Sequence, residues 1–290
     1  MIITKLQGGL GNQLFQYAAG RSLAQKHETS LKFDVSWYNN YANSVTPRRL
    51  GLDLFSVAAD IAADSEVEKF RKLGVPRLIE KIKPYKWKKH VQEKHFHFDS
   101  RVLSLPNNVY LEGHWQSEKY FQKNRDIIDR EVTLKKPIEA AYGQLIHAMK
   151  QTDSVSVHIR RGDYVSHAKA KQVHGICSPV YYAKAIEIIK TKINTPAFFV
   201  FSDDIPWVKA NIKIPFDIVT FVSERKDIKD YEELVLMSKC KHNIIANSSF
   251  SWWGAWLNRN PDKIVIAPER WFADSSFNTK DLLPESWMKI

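Results

Sequence analysis

From residue 154 to the end of the chain, short apolar runs alternate with segments of helical pattern, and this alternation limits the fold more than any other feature of the sequence. SVSVHI (154–159) reads as a strand, and SPVYYAKAIEIIK (178–190) as a helix with Ser178 placed to cap it and Pro179 at its first position. AFFVFSDD is a strand, with a short helix predicted near Pro206. DIVTFVS is a strand and DYEELVLMSKC a helix. HNIIANSS is a strand, SWWGAWLN a helix and KIVIAPE a strand. Successive strands are separated by units too long for hairpins. The strands should therefore run parallel, with helices on both faces of the sheet.

The first half is patterned less regularly. Up to about residue 30 the sequence reads strand, glycine turn, helix. Ile2, Ile3 and Leu6 form the apolar run, GGLGN breaks it, and Asn12 is predicted to cap a helix carrying Leu14, Phe15, Ala18, Ala19 and Leu23. Residues 34–130 hold a charged helical stretch near 64–72, a basic stretch at 81–98 and the apolar piece VYLEGHW. KKPIEAAYGQLIHAMK reads as a helix linking two domains, 1–140 and 141–290.

Hydrophobic residues make up 44% and charged residues 26% of the 290, which argues against disorder. No apolar run is long enough to span a bilayer, and MIITKLQGGLGNQ has no secretion-signal pattern, so cytoplasmic residence is expected. Cys177 and Cys240 stand far apart, without metal-ligand spacing; buried, idle thiols are expected. The net charge of +11 is compatible with anionic partners. Much of the excess falls in KIKPYKWKKHVQEKHFHF, where Tyr85, Trp87 and Phe96 interrupt the lysines. Two readings of this stretch are open: a solvated surface, or a patch resting on anionic lipid. A nucleic-acid partner is not expected, because the chain carries no nucleic-acid-binding module.

In a parallel sheet the chemistry gathers where strands end and loops begin. HIRRGDY, FSDD and NSSFSWW all fall at such places. Arg160 offers a permanent planar cation whose fork suits a pyrophosphate; the alternative is an ion pair with Asp163 that ties down the loop. Asn247, Ser248, Ser249 and Ser251 crowd donors at a helix start, which suits an anion or simply caps the helix. In QGGLGN, glycines permit close backbone approach before a helix amino terminus, so Gly9, Gly11, Asn12 and Gln13 are candidate ligand contacts; a plain tight turn is the other reading. The segment has neither the third glycine of a dinucleotide fingerprint nor the Gly-Lys-Ser/Thr of a P-loop. Asp203 and Asp204 read as loop caps rather than metal ligands, and Trp252, Trp253 and Trp256 as helix packing.

Taken together, GGLGNQLFQYAAGRSLA, HIRRGDYV, FSDD and NSSFSWWGAWLN closely resemble the α-1,2-fucosyltransferase family. The resemblance covers both halves in order and is weakest over residues 35–130, where acceptor choice is expected to lie. It implies an α/β, GT-B-like enzyme of two Rossmann-type domains with mainly parallel sheets. The 1–140 domain would face the acceptor and the 141–290 domain would bind GDP-L-fucose. The implied reaction moves L-fucose to the 2-hydroxyl of a terminal galactose, with inversion, no metal and no resident cofactor. The acceptor would be a galactose-terminated glycan, and a lipid-linked one would explain a basic face at the inner side of a membrane.

Residue by residue, the resemblance makes Arg160 the arginine on the β-phosphate and puts His158 near the nucleoside. Ser248, Ser249 and Phe250 match positions that meet phosphate and base. Glu233 aligns with an acidic residue that reads guanine, with Glu232 and Asp230 as the alternatives in register. Asn12 matches an asparagine that approaches the reacting centre. Arg161 has two readings, a phosphate contact or a partner for Asp163. Asp163 is the candidate general base, although two neighbouring arginines would lower its pKa and favour a structural role. The alternatives are a base from the amino-terminal half, or a reaction with little formal base catalysis.

Overall fold

Two parallel sheets, one in each half of the chain, organise the computed structural model, which describes residues 1–41, 48–71, 82–162, 172–173, 175–225 and 227–290. The chain divides into two compact units. The first comprises Met1–Lys136 with Asn278–Pro284, and the second Pro137–Phe277 with Glu285–Ile290.

In the first unit, β1 (Ile2–Lys5), β2 (Leu31–Asp34), β3 (Asp60–Ile61), β4 (His90–Gln92) and β5 (Val109–Glu112) pair in the order β3-β2-β1-β5-β4. Every pairing is parallel, and Ile2 stands opposite both Leu31 and Val109. Helix α1 (Leu10–Lys26) follows β1 and is buried over most of its length. It begins earlier than the sequence suggested. Gly9 is the residue that caps it, and Asn12 lies inside its first turn. The cause is Gly8, whose φ of +79° turns the chain in a conformation closed to most side chains. The unit also carries α2 (Ser36–Tyr41), α3 (Asp64–Arg71) and α4 (Arg125–Glu131). Val67 and Phe70 of α3 pack on Ile3 and Tyr110, covering one face of the sheet.

The second unit opens with α5 (Glu139–Gln151) and continues as β6 (Asp153–Ile159), α6 (Pro179–Lys192), β7 (Pro196–Ser202), α7 (Ile205–Asn211), β8 (Val219–Phe221), α8 (Asp230–Lys239), β9 (His242–Ile244), α9 (Ser249–Trp256), β10 (Val265–Ala267) and β11 (Met288–Lys289). All pairings are parallel, in the order β11-β10-β9-β6-β7-β8. β7 is buried along its whole length, as a central parallel strand covered on both faces must be. α6 starts as expected, with the Ser178 hydroxyl accepting from the Tyr181 N–H at 3.3 Å. Cys177 and Cys240 are buried free thiols, and Trp252, Trp253 and Trp256 are buried in the core.

In both units the strand order reverses beside the first strand. The reversal falls between β1 and β5 in the first unit and between β6 and β9 in the second. At such a point the loops leave the sheet in opposite directions and open a crevice at the carboxyl ends of the strands, where ligands of open α/β sheets bind.

Candidate functional site

In the second unit the crevice lies between the loops after β6 and β9. His158 is the next-to-last residue of β6. Its ring is buried, and its Nδ1 has no hydrogen-bond partner among the described residues. Burial and the nearby Arg160 hold it neutral, with a pKa lowered to about 3. The ring lies 5.6 Å from that of Phe250 in the first turn of α9, so the two loops meet there.

Arg160 donates from Nη1 to Asp203 Oδ2 at 2.8 Å. The other oxygen of the same carboxylate accepts from the Arg161 backbone N–H at 2.8 Å. One aspartate after β7 thus fixes the loop after β6. Among the described residues Arg160 pairs with Asp203, a partner the sequence reading did not name for it. Asp163 itself lies outside the described residues. Arg161 is held elsewhere: its Nε is 3.2 Å from Asp204 Oδ2, and its guanidinium lies 3.6 Å above the Trp207 ring. Stacked and paired in this way, Arg161 clamps the loop to α7. Asp204 also caps α7, accepting from the Trp207 N–H at 3.2 Å, as expected of a loop cap.

Glu233 reaches the same neighbourhood from α8. Its carboxylate accepts a hydrogen bond from the Ser223 hydroxyl, which in turn accepts from the Ser202 N–H at 2.9 Å. Burial raises its pKa to about 7, with Asp230 and Asp203 adding to the rise and Arg160 opposing it. Glu232 is engaged on the helix end. It accepts from the Lys229 N–H and from the Tyr142 hydroxyl, each at 2.8 Å. Of these two glutamates, Glu233 is the one that extends towards Arg160.

At the start of α9, the Ser248 hydroxyl accepts from the Phe250 N–H at 3.3 Å, and Ser249 opens the helix. Ser251 is fully buried, with its hydroxyl 3.4 Å from Ser248 O and 3.5 Å from Ala246 O, so it braces the turn from within. Asn247 is also buried and spends its amide on Trp271 O at 3.0 Å.

The first unit has a polar group at its own reversal point. Asn12 Oδ1 accepts from Gln116 Nε2 at 2.8 Å, joining α1 to the loop after β5. Gln13 is buried and committed to backbone. It donates to Arg49 O at 2.8 Å and accepts from the Gly51 N–H at 2.9 Å. Gly9 faces the Arg48 guanidinium, and Gly11 is buried in the first turn of α1. Sequence reasoning missed two features here. Gln16 pins the backbone of Gln7 from both sides, at 2.9 and 3.2 Å. Glu93, just after β4, accepts from the backbone N–H groups of His114 at 2.7 Å and Trp115 at 3.0 Å, and burial raises its carboxyl to about 7. The signal available was a lone glutamate in a run of lysines, directly after the short segment His90–Gln92.

The predicted residues therefore gather into two groups, each at the carboxyl edge of its own sheet. The group in the second unit combines a fixed guanidinium, a neutral buried imidazole, a carboxyl poised near neutrality and a helix amino terminus. That set suits an anionic ligand with a hydrogen-bonding base.

Comparison with known proteins places the chain among glycosyltransferases. The model of glycosyl transferase family 11 matches residues 77–290. An Escherichia coli alpha-1,2-colitosyltransferase is 37% identical, covering 100% of this chain and 99% of its own. The E. coli O-antigen biosynthesis glycosyltransferase WbnK is 33% identical over 98% of this chain and 99% of its own. The human galactoside alpha-(1,2)-fucosyltransferase 1 is 27% identical over 51% of this chain and 42% of its own. Among solved structures, Arabidopsis thaliana FUT1 with GDP superposes with a TM-score of 0.55 at 13% identity, over 99% of this chain and 75% of that one. POFUT1 with GDP-fucose superposes at 0.51 and 13% identity, over 92% and 97%. The fold is thus the α/β, GT-B-like one of these fucosyltransferases.

Proposed function

The chain belongs to glycosyl transferase family 11, and on that premise we propose that it moves L-fucose from GDP-β-L-fucose to the 2-hydroxyl of a terminal β-galactose, with inversion and without a metal ion. The observation that carries the reading is Arg160, fixed by Asp203 at the point where the second sheet reverses. In the reaction the bond from fucose C1 to the β-phosphate oxygen breaks, and negative charge collects on the departing GDP. A guanidinium held in advance stabilises that charge without reorganising. Ser248, Ser249 and Phe250 add donors at the start of α9, and Glu233 accepts from the guanine edge. The acceptor hydroxyl attacks C1 from the opposite face and gives up its proton to a base, for which Asp163 is the aspartate of the same loop. Asn12 and its neighbours serve the acceptor side.

A second reading keeps the mechanism and changes the sugar. Colitose is L-fucose without its 3-hydroxyl, and the 37%-identical relative is a colitosyltransferase. The acceptor in both readings is a glycan, lipid-linked and presented on the cytoplasmic side of a membrane.

One experiment tests these points together. Purified protein is incubated with a galactose-terminated oligosaccharide, EDTA and either GDP-fucose or GDP-colitose, and the product linkage is determined. The α-1,2-fucoside should form in chelator, and Arg160→Ala should lower its rate about 100- to 1,000-fold without moving the melting temperature by more than a few degrees. A reaction that stops in EDTA, or an Arg160→Ala variant of near-normal rate, refutes the role given to the guanidinium. Exclusive use of GDP-colitose selects the second reading.

A further inference from the structure

The stretch 82–89 offers a surface that the transfer chemistry does not use. Ile82 is 77% exposed and Trp87 62% exposed, five residues apart in the chain. Lys86 and Lys89 are exposed beside them, Lys83 is half-exposed, and the Lys86 ammonium rides 4.9 Å from the Trp87 ring. The turn that presents them is rigid. Its 3₁₀ helix, Tyr85–Trp87, is closed by the Trp87 N–H on Pro84 O at 2.9 Å. Tyr85 points the other way. Its hydroxyl donates to Asp99 at 2.8 Å, and the Arg101 guanidinium covers its ring at 4.7 Å. Lys88 is buried, 5.5 Å from the same ring. Tyr85 and Lys88, three residues apart, are thus anchored inward, and Ile82, Lys86, Trp87 and Lys89 are exposed.

A tryptophan and an isoleucine left in water on this turn present apolar surface that an apolar environment would stabilise. An aliphatic side chain such as Ile82 does not stack on nucleic-acid bases, whereas it does enter hydrocarbon. A tryptophan with lysines around it suits the boundary between headgroups and acyl chains, where the ring sits at the interface and the lysine stems reach up to phosphates. We propose that this turn docks the protein on an anionic lipid bilayer, with Trp87 and Ile82 inserted at the interface and Lys83, Lys86 and Lys89 on the lipid phosphates. The proposal rests on the functional reading only for its use, which is to bring the enzyme to a lipid-linked acceptor; the binding itself is independent of any activity.

The test is flotation of the full chain with vesicles of phosphatidylglycerol and phosphatidylcholine in equal parts, against vesicles of phosphatidylcholine alone, at low and high salt. Wild-type protein should float with the anionic vesicles only, and less so in high salt. Each lysine converted to glutamine should lower partitioning about fivefold. The pair Ile82→Ser with Trp87→Ser should lower it at unchanged charge, which a purely electrostatic attraction would not show. All variants should keep transferase activity on a soluble acceptor. Equal flotation with neutral vesicles, or variants that float like wild type, overturns the proposal. So does binding to a single-stranded oligonucleotide in the absence of vesicle binding. If the protein floats as described yet transfers no sugar, the docking surface stands and the functional reading falls.

Discussion

Glu233 and His158 are displaced in opposite directions by one cause. Burial disfavours the charged form of each, so the carboxyl rises to about 7 and the imidazole falls to about 3. For Glu233 the folded state prefers the protonated form. Its contribution to stability is therefore full below the ordinary glutamate range and is lost as pH rises through about 7. Donor binding should run the other way, because guanine offers two N–H groups and needs an acceptor-only carboxylate. The pyrophosphate of GDP-fucose does not titrate in this window, so affinity for it reports the carboxyl alone. It should tighten about tenfold between pH 6 and pH 8 in calorimetry, and Glu233→Gln should bind weakly with no such slope. A flat profile in the wild-type protein would remove Glu233 from the guanine site. His158 stays neutral throughout, so no limb of the profile near pH 6 belongs to it.

Helices α8 and α9 carry two sides of the crevice in the second unit, and a glycine lies where they meet. A Cβ placed on Gly254 would lie 2.9 Å from the Met237 Cβ, a distance that real side chains avoid. Gly254→Ala should push the helices apart, at about 1–3 kcal/mol of stability. Since Glu233 and Ser248–Phe250 sit on those helices, the dissociation constant for GDP should rise more than the acceptor KM. Such differential loss distinguishes a spacing role from general damage. At this scale the sequence was legible where strands are long and buried. β6 and β7 each run seven residues; β6 reads as an alternating apolar run and β7 as a nearly continuous one. In the first unit, whose strands are two to four residues long, β1 and β5 showed as apolar pieces while β2, β3 and β4 did not stand out. Arg160 could be singled out because it follows a strand of clear period, and Glu233 and the role of His158 came from the resemblance to a family. Asp203 as the partner of Arg160, Ser223 beneath Glu233 and Gln116 on Asn12 could not. Those contacts join residues 43, 10 and 104 positions apart, and no local pattern encodes them.

The two units do not simply follow one another along the chain. After 141 residues in the second unit, the chain returns to the first for Asn278–Pro284 and then leaves again to form β11. That return is held by specific bonds. Asp281 takes the Lys119 ammonium on one carboxylate oxygen at 2.8 Å and the Phe98 N–H on the other at 3.2 Å, while its carbonyl accepts from the buried Ser117 hydroxyl at 2.6 Å. Leu282 and Leu283 beside it are buried. The first unit is therefore finished by residues near the end of the sequence and cannot be complete until they are made. Asp281→Ala in the full chain should leave the Phe98 N–H and the Lys119 ammonium without their acceptor, at about 1–3 kcal/mol. Hydrogen exchange should then quicken in β1 and β5 while β6 and β7 stay protected, because the lost bonds belong to one unit only. Equal quickening in both sheets would mean that the two units unfold as one cooperative body, and that the returning segment stabilises the whole rather than closing the first sheet's own core.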